Sequence, residues 1–159
     1  MEFQLRNSFQ LTKQQKHNLR NRLQAFGETQ PHRLRFFSDE WYGHGWLEVT
    51  VLKLSSLGLH LSDFSTYSYT NGRNQGEGKP FEWFHWKQGP MNEAGNPVHA
   101  VYLEEDCDAR IYLQRHKDIY QQMPIIQPIY LPKNSGIRDL PPIYNQDELS
   151  DLMQTYPIV

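Results

Sequence analysis

What most constrains the fold is the stretch from Arg33 to Glu105. Short runs of aromatic, aliphatic and β-branched residues follow one another there, with loops too short for helical crossovers. Arg33–Phe37, Gly45–Leu54, Leu57–Ser62, Thr66–Thr70, Phe81–Lys87 and Val98–Glu104 read as strands. In the second of these, Leu47, Val49 and Val51 share a face, with Glu48, Thr50 and Leu52 opposite. Asn71-Gly72 is a turn signal, and residues 71–80 and 89–97 are glycine-bearing polar loops. Hairpins of an antiparallel sheet of four to six strands follow.

Before this stretch, Met1, Phe3 and Leu5 alternate with Glu2, Gln4 and Arg6, as in a short half-buried strand. Thr12 and Gln15 fit a capping box, and Gly27 falls where a helix ends. Between them Leu19, Leu23 and Phe26 form one apolar stripe, while Lys13, Lys16 and Arg20 stack on another face with Arg22 nearby. After residue 123 the character changes again. Six of the ten prolines stand at 124, 128, 132, 141, 142 and 157, with Ile125, Ile126, Ile129, Tyr130 and Leu131 among them. Proline removes backbone donors and favours extended backbone, so this segment is neither helix nor inner strand. Asn145 then caps a short helix through about residue 154. The expected class is therefore α+β: an N-terminal helix packed on an antiparallel sheet, an extended proline-rich C-terminal segment and a short terminal helix. Residues 1–122 make the core domain, and 123–159 an extended docking segment that is not a domain of its own.

A chain of 159 residues suits one domain. Its 13% aromatic content offsets a hydrophobic fraction of only 38%, and argues against disorder. No apolar run reaches the ~18–20 residues of a membrane span, and residues 1–30 hold no signal-peptide pattern. The single cysteine, Cys107, excludes an internal disulfide and a multi-cysteine metal centre, and points to a reducing cytoplasm.

Charge is unevenly spread. Residues 1–35 carry seven Lys/Arg against two acids, a balance of +5; residues 36–159 carry nine against sixteen, a balance of −7; the net charge of −2 hides the difference. Such a split suits either an anionic partner for the basic helix or attraction between two parts of the chain.

The motifs that carry chemistry are incomplete. The glycine-rich loop lacks the first glycine of a phosphate-binding loop, where Arg73 stands, and Pro80 replaces its Ser/Thr. In the aromatic run Phe81–Lys87 both faces carry large rings, but only Lys79 and Lys87 flank them, fewer cations than a base-stacking sheet carries. No histidine pair has metal-ligand spacing, and the acidic run Glu104–Asp108 lacks the spacing and glycine of a calcium loop, so no metal or cofactor is expected. A Glu-x-Lys nuclease pattern breaks at Phe84, no Gly-x-Ser-x-Gly exists, and acids around Cys107 should blunt its thiol.

The leading expectation is a non-catalytic binding or adaptor subunit of a larger protein or nucleoprotein assembly. An accessory subunit of a CRISPR-type ribonucleoprotein fits, as does a phage component. Lys13, Lys16, Arg20 and Arg22 would meet phosphate or an acidic protein face, and Ile125, Ile126, Ile129, Tyr130 and Leu131 would dock on another subunit, with no membrane involved. One alternative is a small ribonuclease using His85 and His99 for acid–base chemistry, with Glu82 nearby. The other is an inhibitor or immunity-like protein whose acidic sheet caps a basic partner.

Overall fold

The structure, a computed structural model, describes residues 12–14, 17, 18, 21, 32–39, 43–74, 81–83, 89–91, 95, 98–132 and 136–143. Strands β1 (Arg33–Asp39), β2 (His44–Thr50), β3 (Tyr69–Thr70), β6 (Ala100–Glu104) and β7 (Ile125–Leu131) form a five-stranded sheet in the order β3-β6-β2-β1-β7. Strands β4 (Gly72–Asn74) and β5 (Phe81–Trp83) pair separately as a two-stranded sheet. Helices α1 (Val51–Ser56) and α2 (Asp108–Tyr120) give the described residues an α+β architecture.

The large sheet is mixed, which corrects the antiparallel expectation. β1–β2, β2–β6 and β3–β6 run antiparallel, but β7 lies parallel to β1. The cause is α2. Its 13 residues, rising about 1.5 Å each, are long enough to carry the chain from β6 back across β2 and β1, strands spaced about 4.8 Å apart. The chain returns on the far side of β1, where β7 is the edge strand among the described residues and tolerates Pro128 opposite Phe36.

No element was expected over residues 106–122, yet α2 buries Ala109, Tyr112, His116 and Ile119 at helical spacing. Two expected strands are also corrected. The run Gly45–Leu54 leaves the sheet at Thr50, whose Oγ1 accepts the Lys53 N–H at 3.2 Å and so caps α1. The run Leu57–Ser62 is a turn followed by a short 3-10 segment, Leu61–Asp63. Gly58, at φ 71°, supplies the left-handed residue that ends α1, and the Leu59 N–H reaches back to the Leu54 carbonyl at 3.0 Å. Leu57, Leu59 and Leu61 are all buried, so apolar alternation here serves a helix ending and not a pleat. Of Thr66–Thr70, only Tyr69 and Thr70 pair as strand.

Each sheet face has its own core. Leu34, Leu47, Val49, Val101 and Leu103 face the helices and pack with Leu54, Tyr112 and Ile119. Position 45 falls on this side with Leu47 and Val49, and only glycine fits there because a side chain would strike the Phe36 ring. On the opposite face Phe37, Trp46, Ala100, Tyr102 and Leu131 pack under Ile137 and Leu140. At the N-terminus, Lys13, Gln14, His17, Asn18 and Asn21 have helical backbone, with side-chain hydrogen bonds four residues apart from Gln14 to Asn18 and between His17 and Asn21. The stripe Leu19, Leu23 and Phe26, the strand at residues 1–6 and the helix after Asn145 lie outside the described residues.

Leu54 is fully buried against β2 and α2. Leu54→Ala should lower the unfolding free energy by about 3 kcal/mol through lost burial and a residual cavity. Urea denaturation checks this, and a loss near zero would contradict the packing.

Candidate functional site

Three side chains align across the middle of the sheet. The register sets Arg35 beside Glu48, and Glu48 beside Tyr102. Arg35 Nε donates to Glu48 Oε1 and a terminal guanidinium nitrogen to Oε2, each at 2.6 Å, while the Tyr102 hydroxyl donates to Oε2 at 2.9 Å. This bidentate geometry is the strong form of a carboxylate contact. Burial pushes the Glu48 carboxyl up from its ordinary range, against the lowering pull of the Arg35 hydrogen bonds and charge. The Tyr102 hydroxyl is pushed up by burial and by Glu48, and stays a donor.

At one end of the same face lies a pocket of about 400 Å³. Trp46 and Tyr69 form its apolar back, with ring centroids 6.1 Å apart, and Tyr67 stands at its rim with 71% of its surface exposed. Arg138 crosses it, its guanidinium 5.2 Å from the Trp46 ring centre and its Nε 3.2 Å from Asp39 Oδ2. Glu104, the cross-strand neighbour of Trp46, and Asp106 line it too. The Glu104 carboxylate accepts the N–H groups of Asp106 and Cys107, both at 3.1 Å, and is thereby fixed in place. Cys107 shares this turn; desolvation and the charges of Glu104, Asp108 and Asp106 push its thiol up, in keeping with the acids around it in sequence. His44 adds an exposed imidazole at the mouth.

Asp108 belongs to the same acidic run but is buried, so the run is not simply a solvated strand end. Its carboxylate accepts the Ser65 N–H, the Ser65 hydroxyl and the Ser68 hydroxyl. The buried histidines lie elsewhere. His99 Nε2 sits 2.9 Å from Thr70 Oγ1, and burial pushes its pKa down to about 4. His116 Nε2 lies 3.2 Å from His32 Nδ1 and packs against Tyr120; burial, then the charges of His32 and Lys53, push it down to about 4.

The candidate residues of the sequence fall in different settings. His99 is buried, Glu82 has its backbone in β5 opposite Arg73, and His85 lies outside the described residues. Lys13 is exposed on helical backbone; Lys16, Arg20 and Arg22 lie outside the described residues. Along β7, Ile125, Ile126 and Tyr130 are exposed, Ile129 is half-buried and Leu131 is buried in the core. Trp46, Tyr67, Tyr69 and Arg138 escaped sequence reasoning, because they come from three separate segments. Among the described residues, no three His, Cys, Asp or Glu converge to hold a metal ion, and no helix is long and apolar enough to cross a membrane. Comparison with protein-family models, curated proteins and solved structures finds no match.

Two tests address these charges. His99 is held neutral in the fold, whereas the unfolded chain protonates near 6.5. Stability is therefore complete above 6.5 and falls as pH drops toward 4, by about 3 kcal/mol at pH 4 from this residue. His99→Gln should remove that share of the decline between pH 7 and 4 in urea denaturation; an unchanged decline would refute the assignment. Arg35→Met strands a buried carboxylate and should cost about 3–5 kcal/mol at pH 7. Glu48, already pushed up, then takes a proton more readily, so this penalty should shrink from pH 7 to pH 5; a penalty independent of pH would show that Glu48 is not ionised in the native fold.

Proposed function

We propose that this chain is a non-catalytic binding subunit that docks into a larger protein assembly through the β7 edge. The observation that carries this is the set of exposed apolar side chains there: Ile125 and Tyr130 are 61% and 68% exposed, Ile126 37%, and Met123 just before the strand 53%. Ile126 and Tyr130 project from one face of the strand and Ile125 from the other, so apolar surface flanks this edge on both sides, and exposed apolar surface is a mark of protein contact sites. The strand is held firmly by its pairing with β1, so these side chains are presented in fixed positions on its two faces. Pro128 deprives the edge of one donor and discourages simple strand addition, which favours recognition through side chains. Ile129 and Leu131, on the same face as Ile125, pack toward the core instead.

Burial of His99, with its pKa near 4, weighs against acid–base work by that residue near neutral pH, and so favours binding over the ribonuclease alternative. The basic helix would let such an assembly include nucleic acid through Lys13, Lys16, Arg20 and Arg22, as in a CRISPR-type ribonucleoprotein. A lone cysteine suits a reducing compartment, and the same reading assigns the protein to the cytoplasm.

Affinity purification of the tagged chain from its native source tests the proposal. The wild-type chain should copurify with a stoichiometric partner, and the double variant Ile125→Lys, Tyr130→Lys should lose it at least tenfold, by about 1.4 kcal/mol or more. Both side chains are exposed, so thermal unfolding should move little. A wild-type chain recovered alone and monomeric, or a variant that keeps its partner, would refute the reading.

A further inference from the structure

We propose that the pocket walled by Trp46, Tyr67, Tyr69, Glu104 and Asp106 is a receptor for an arginine or lysine side chain presented by a basic protein partner. The inference deepens the binding-subunit reading and rests on it for the source of that side chain. It uses a surface separate from the exposed β7 side chains.

The first argument is charge. Asp39, Glu104 and Asp106 stand at or beside the pocket with the Arg138 guanidinium and the His44 imidazole, and the charge of Arg110 is felt at Cys107. Asp39 pairs with Arg138, and among the described residues no cation lies within ion-pair distance of Glu104 or Asp106. Such a pocket attracts a cation and repels a phosphate or carboxylate. The second is preorganisation. Two backbone N–H groups hold the Glu104 carboxylate, yet each oxygen retains a lone pair for an incoming donor. Binding therefore does not have to order that side chain.

The third argument is that the protein already performs this recognition on itself. Arg138 lies over the Trp46 ring with a carboxylate at its Nε, which is the pairing of aromatic face and acid that a guanidinium prefers. Tyr69 and Tyr67 line the pocket together with Glu104 and Asp106, again rings and acids in one concavity, and among the described residues no cation–π contact falls on either tyrosine. A volume of about 400 Å³ accepts a long basic side chain together with ordered water. Tyr67, exposed at the rim, can lie along its methylene stem.

The test is an amide NMR titration of the 18.9 kDa chain with the peptide acetyl-Gly-Arg-Gly-amide, and with its citrulline counterpart, a neutral isostere. The arginine peptide should shift the amides of Tyr67, Glu104, Asp106 and Cys107 saturably, and citrulline should not. Asp106→Asn and Tyr67→Ala should each weaken binding about tenfold. Tyr67→Ala leaves the charge unchanged, so it separates a built site from general surface attraction. Equal shifts with citrulline, no saturable shifts, or full affinity in both variants would overturn the proposal. Shifts that grow with protein concentration alone would make a second copy the occupant and overturn it too. Ile125→Lys should leave the titration unaltered, so failure here is distinguishable from failure of docking through β7.

Discussion

Much of this structure hangs on one buried carboxylate. Asp108, 2% exposed, stands at the first turn of α2 and binds Ser65 and Ser68. The Ser68 hydroxyl in turn accepts the Glu104 N–H at 2.9 Å, and the Ser68 carbonyl accepts the Ile143 N–H at 2.9 Å. A carboxylate removed from water costs several kcal/mol unless it is fully hydrogen-bonded. Here the serine donors and the positive end of α2 supply that compensation. The consequence is positional: the end of β6, the start of α2, the loop carrying Tyr67 and the segment after Leu140 are fastened to one atom group. The pocket walls meet because these four pieces cannot move independently.

The Arg35–Glu48–Tyr102 row does comparable work at the sheet centre. An ion pair buried between strands adds little net stability, since desolvation opposes the attraction. What it adds is register. Slipping β1 by one residue against β2 would carry Arg35 to the other face and leave Glu48 buried and unpaired. Leu34 and Phe36 would then also leave the helix-facing core. The polar row and the apolar core thus favour the same alignment, and β7 inherits it through seven paired positions with β1.

The sequence announced β1 and β6 because their aromatic and β-branched runs have no competing helical period. It concealed α1 because Val51 continues the alternating run of Leu47 and Val49, and Leu54, one residue out of phase, was the sole departure from it. Only the Thr50 side chain, turned back to cap Lys53, breaks the tie. Helix α2 was hidden differently: Arg115 and His116 occupy buried positions on its inner face, so its stripe reads as polar. The parallel pairing of β7 depends on that unseen helix and could not be reached without it. The pocket was illegible for a simpler reason. Its aromatic and charged walls come from residues 46, 67, 69, 104, 106 and 138, and no local spacing links them. The acidic run was visible, but nothing in its composition separates Asp108, which is consumed internally, from Glu104 and Asp106, which face the pocket.

This separation changes the meaning of the charge split. Counted along the chain, residues 1–35 are basic and the remainder acidic. Counted in space, Arg35 is spent on Glu48, Asp39 on Arg138 and Asp108 on two serines, while Lys53 and Arg115 lie buried within the acidic part. The formal excess is therefore a poor map of the surface field. What persists near the pocket is a pair of carboxylates on a rigid turn, next to tyrosines with exposed edges. A diffuse acidic surface would bind cations weakly and lose them to salt. Acids fixed beside aromatic rings in a concavity select for a cation's shape as well as its sign. Such selectivity is what the proposed recognition of a basic side chain requires.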